Sequence, residues 1–98
     1  MGRIGKYVQT SDERKRYSID YSEWLDSGET VSTAVFDILP VTVPALVVDA
    51  IGVFPDGLSI QYYVSGGLTG ITYDAFVKIT TNMSQIKEDG IVVSIREP

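Results

Sequence analysis

Alternation of apolar and polar residues, broken at short intervals by turn residues, constrains this chain most. Leu58, Ile60, Tyr62 and Val64 fall on one face of residues 58–64, and Ser59, Gln61 and Tyr63 on the other. That period of two marks a half-buried strand. Tyr73, Ala75, Val77 and Ile79 repeat it over 71–81, a stretch whose β-branched first half disfavours a helix. Residues 30–38 are rich in β-branched side chains and read as another strand. So do residues 45–54, where Asp49 and Gly52 interrupt the pattern and suggest a bulge.

The punctuation is equally regular. Pro40 and Pro44 bound a linker that cannot be a central strand. Pro55, Asp56 and Gly57 form a turn, with proline presetting φ and glycine accepting positive φ. Residues 65–70 are an open glycine-rich loop, 82–89 read as a hairpin connection closed by Gly90, and Ile91, Val93 and Ile95 put a last strand on the core side. The expectation is all-β: an immunoglobulin-like or fibronectin-like antiparallel β-sandwich of six to seven strands with an extended N-terminal arm. At 98 residues there is room for one domain.

Charge divides the chain near residue 16. Residues 1–16 carry five basic side chains (Arg3, Lys6, Arg14, Lys15, Arg16) against two acidic ones, a net +3; residues 17–98 carry three basic against eleven acidic, a net −8. The arm lacks a sustained period and reads as extended or partly ordered to about Arg14. The body, 17–98, is the sandwich. The arm suits a protein partner better than nucleic acid, because the acidic body opposes a polyanion. The longest apolar runs are a few residues, so no membrane-spanning helix is expected. No apolar segment follows the first ten residues as in a secretory signal, which points to synthesis in the cytoplasm.

The chain has no histidine and no cysteine. The commonest general base and the thiol nucleophile are therefore missing, and no Ser-x-x-Lys context replaces them. An enzyme is not expected, nor a cofactor or a built metal site. Asp20, Glu23, Asp26 and Glu29 read as a solvated acidic face, with an incidental calcium site as the alternative. The loop containing Gly66, Gly67 and Gly70 lacks the Gly-Lys-[Ser/Thr] ending of a phosphate loop and reads as structural. Tyr73, opening the penultimate strand, reads as a tyrosine corner whose hydroxyl bonds backbone a few residues upstream. Tyr21 and Trp24, in an irregular segment where Ser22 suits the cap of one helical turn, read either as a plug in the open end of the sandwich or as exposed anchors for a partner.

Three blocks together resemble the fiber-tail adaptors of tailed bacteriophages. They are Tyr17-Ser-Ile-Asp-Tyr-Ser-Glu-Trp-Leu25 entering a strand through Gly28-Glu29-Thr30; Val64-Ser-Gly-Gly-Leu-Thr-Gly-Ile-Thr-Tyr73; and Glu88-Asp-Gly-Ile-Val-Val93. Residues 82–85, Asn-Met-Ser-Gln, depart from the family's more usual Thr-x-x-Gly turn, and the resemblance does not extend to the basic arm. The resemblance implies a virion structural protein of the tail or neck, present in several copies and joining other virion proteins. Read from the residues themselves, the partner-binding candidates are Arg3, Lys6, Arg14, Lys15, Arg16, Tyr21 and Trp24. A capsid decoration or cement protein is the alternative, and a free carbohydrate- or cell-surface-binding module a further one.

Overall fold

The computed structural model describes residues 2–97, of residues 2–4 the backbone alone. Seven strands form two sheets: β1 (Gly2–Gln9), β2 (Arg14–Asp20), β3 (Val31–Leu39), β4 (Leu46–Val53), β5 (Ser59–Gly66), β6 (Thr72–Thr81) and β7 (Ile86–Ile95). One sheet has the order β1-β7-β6-β3 and the other β2-β5-β4. The chain is thus an all-β sandwich.

The alternation seen in the sequence decides which faces meet. Ile60, Tyr62 and Val64 of β5 are buried against Tyr73, Ala75, Val77 and Ile79 of β6 and Ile91, Val93 and Ile95 of β7. Removing these side chains from water is the main favourable term in holding the sheets together. Aromatic rings fill one side of the core: Tyr7 stacks on Tyr17 at 4.1 Å between centroids, and Phe36 packs on Tyr62 at 4.8 Å. The anticipated bulge in β4 is present. Register shifts between Asp49 and Gly52, and Ala50 takes a φ of 50°.

The first residues differ from the expected arm. β1 is a full member of the larger sheet, running parallel to β7 with Tyr7 opposite Val93 and Gln9 opposite Ile95. All other strand pairs are antiparallel. A boundary at residue 16 falls inside β2. The strand escapes a hydrophobicity reading because its inward positions include Gln9, a polar residue only 4% exposed. The Gln9 amide donates to the carbonyl of Val64 at 3.1 Å and accepts from the Tyr17 hydroxyl at 2.8 Å. Hydrogen bonding thus replaces apolar burial as the reason this residue can face the core.

The last hairpin also differs. β7 begins at Ile86, so the connection from β6 is four residues shorter than the expected 82–89. Gly90 lies within the strand, opposite Phe76, and does not end the turn.

Candidate functional site

A cleft opens where β1, β2 and β7 meet the turn after β2. Tyr7, Ser18, Ile19, Asp20, Tyr21, Glu23, Trp24, Lys87 and Asp89 line about 280 Å³. The turn is one hydrogen-bonded helical turn, with Leu25 N–H donating to the Tyr21 carbonyl at 3.0 Å. Asp20 caps it: its carboxylate accepts from Ser22 N–H at 2.8 Å. That bond holds the Asp20 carboxyl below the usual carboxylate range. The residue sequence reasoning gave as the cap, Ser22, is the donor in that arrangement.

The turn separates the two aromatic candidates. Tyr21 points into the core and is 3% exposed, so it is not an exposed anchor. Burial and the nearby Asp89 carboxylate raise its phenol pKa. Trp24 stays half-buried at the mouth, with the Lys87 ammonium 5.6 Å from its ring centroid. The side chain of Lys87 also reaches Asp89, 3.4 Å from Nζ to Oδ1.

Sequence reasoning missed Asp89 and Lys87. They lie opposite Val77 and Ile79, on the face that continues as Ile91, Val93 and Ile95. The signal was a period-2 set from residue 87 to residue 95 whose first two members are charged. A turn reading of 82–89 concealed it.

The basic candidates do not gather on one face. Lys6 pairs in register with Val92 on the outer face of the larger sheet, whereas Arg14 and Arg16 lie on the outer face of the smaller one, opposite Ser65 and Tyr63. Lys15 lies opposite Val64 and is exposed at the start of β2. Arg14 is engaged: it pairs with Asp49 at 3.4 Å and sits 4.0 Å above the Tyr63 ring. Lys6, Lys15 and Arg16 form no ion pair among the described residues. The Arg3 side chain lies outside the described residues.

The acidic group at 20–29 is also divided. Glu29 is 1% exposed rather than solvated. Its carboxylate accepts from Thr81 Oγ1 at 2.5 Å, from Asp26 N–H at 3.0 Å and from the Gln85 amide, and these bonds lower its pKa. Among the described residues no three acidic, histidine or cysteine side chains come together to hold a metal ion.

Tyr73 and the glycine loop are joined at the far end of the core. The Tyr73 hydroxyl accepts from Leu68 N–H at 2.7 Å. Gly67 has a φ of +92°, and its α-carbon faces Ile95, Leu46 and Tyr73 so closely that a β-carbon would lie 2.9 Å from Ile95 Cγ1. Gly66 and Gly70 also have positive φ, at 73° and 91°.

Opposite the cleft, beyond β3 and β4, an apolar loop stands out that sequence reasoning took only as a linker. Leu39, Val41 and Val43 are 56%, 83% and 92% exposed. Apolar side chains this exposed are stabilised when another surface covers them.

A small sandwich with an acidic aromatic cleft at one margin and an apolar loop at the other has the surfaces of a binding domain. Residues 9–94 match the family of the podophage GP4 fiber-tail adaptor protein gp77, and the chain belongs to that family. A search of curated proteins finds no significant match.

Proposed function

We propose that this protein is a virion component that links the phage tail or neck to fibers or to a neighbouring ring protein, several copies acting together. The family match across 9–94 carries the reading. The surfaces agree with it. A linker needs two separate contacts, and the sandwich offers two margins, β1 with β2 and β3 with β4. The first carries the cleft with Trp24 and, on separate faces, the exposed Lys6, Lys15 and Arg16; the second carries Leu39, Val41 and Val43. Its role is mechanical: surfaces and strand edges, not a reaction, do the work.

The test is location. Protein tagged at its C-terminus and labelled with gold in intact particles is expected at the tail or neck vertex. Label spread over the capsid lattice would replace this reading with that of a decoration protein.

A further inference from the structure

We propose that the cleft beside Trp24 receives the guanidinium group of an arginine from a partner protein. That the partner is a virion protein rests on the adaptor reading; the chemistry of the site does not.

Two positions of β7 break the sandwich pattern. Strand residues facing the core of a sandwich are apolar, yet Lys87 and Asp89 occupy two successive inward positions of β7. Such local exceptions concentrate where a protein binds something. Asp89 is deeply buried, its side chain 3% exposed. Lys87 serves one carboxylate oxygen, Oδ1, and no donor among the described residues serves Oδ2. The hydroxyl of Tyr21 is also buried without a partner. These two oxygens lie in one region, since Tyr21 and Asp89 both line the cleft. Buried polar atoms are almost always hydrogen-bonded, so two orphans together call for a ligand that brings donors.

The lining specifies the donor's charge. Asp20, Glu23 and Asp89 outnumber Lys87, which favours a cation. Trp24 already faces one cation, the Lys87 ammonium. A guanidinium fits better than a second ammonium. It is flat enough to lie against an aromatic ring, is weakly hydrated, and presents five N–H donors in a fixed fork that can reach separate oxygens. The volume, about 280 Å³, is at the lower limit for small-molecule pockets and suits a single long side chain. Lys87, 31% exposed and flexible, is the part of the wall able to yield as the guanidinium takes its place at Asp89.

Trp24 is the sole tryptophan and reports directly on the cleft. The full chain is titrated with an N-acetylated Gly-Arg-Gly amide, with the same peptide carrying citrulline, and with a panel of neutral saccharides. The arginine peptide is expected to shift Trp24 fluorescence saturably, with the citrulline peptide at least about tenfold weaker. Asp89→Asn should remove the preference for arginine. Should that variant fail to fold, Lys87→Met keeps the question open to test, since removing the competing cation should tighten arginine binding. No saturable response, equal binding of citrulline, unchanged affinity in Lys87→Met, or a response to a saccharide instead would each overturn the assignment. None of these outcomes bears on where the protein sits in the particle.

Discussion

The hydroxyl of Tyr73 lies 2.6 Å from Oγ1 of Thr42, tying β6 to the loop that carries Val41 and Val43. Thr42 spends its one hydroxyl hydrogen on the carbonyl of Pro44 at 2.8 Å, so Tyr73 is the donor to Thr42. The same oxygen accepts from Leu68 N–H. One fully buried side chain therefore fixes both the glycine loop and the base of the apolar loop. Tyr73→Phe keeps the ring and deletes both bonds. It should lower stability by about 1–3 kcal/mol, read as a reduced urea midpoint with an unchanged slope.

Gly67 and Gly70 share nearly the same φ, 92° and 91°, but only Gly67 is crowded. Alanine at Gly70 should cost about 1–2 kcal/mol for the backbone conformation alone. Alanine at Gly67 adds a clash with Ile95, Leu46 and Tyr73, for about 1–3 kcal/mol more. Thermal unfolding of the two variants separates sterics from backbone preference; equal losses would show that the close approach is relieved elsewhere.

Acid should weaken the fold through Glu29. Hydrogen bonds from Thr81, Asp26 and Gln85 lower its folded pKa below that of the unfolded chain. The unfolded state then binds the proton more readily, so stability rises with pH across this range. The contribution is complete above the ordinary glutamate pKa, about 4.3, and is lost as pH falls through the lower folded value. Asp20 and Glu97 are lowered too and act with the same sign. Urea midpoints measured from pH 7 to pH 3 should fall, and Glu29→Gln should start lower but fall less steeply.

How far the sequence could be read follows from these contacts. β5 and β6 were legible because their inward positions from Ile60 to Val64 and from Tyr73 to Ile79 are apolar. β1 was not, because Gln9 faces the core through hydrogen bonds to Val64 and Tyr17. The start of β7 was hidden for a related reason: Lys87 and Asp89 are inward but charged. Of the cleft, Trp24 was visible as a tryptophan in an irregular segment. Asp89 was not, since its burial depends on a strand register that only the fold supplies.

Deleting residues 2–9 tests whether the N-terminal segment is a strand of the sheet or a dispensable arm. The deletion strips β7 of its parallel neighbour and leaves its edge unpaired. The shortened protein should lose cooperative unfolding or aggregate, because exposed edges recruit other chains. A soluble, cooperatively folding product would assign the segment a role only in assembly.

We place the virion contact of the proposed adaptor at the margin formed by β1 and β2. Its most direct test is the double variant Lys15→Glu/Arg16→Glu, which reverses two exposed charges that take no part in an ion pair among the described residues. Circular dichroism should show an intact β-sandwich. Particles assembled with the variant should carry sharply less of it than wild type, whereas Lys78→Glu, an exposed change on β6, should incorporate normally. Normal copy number for the double variant would contradict the claim.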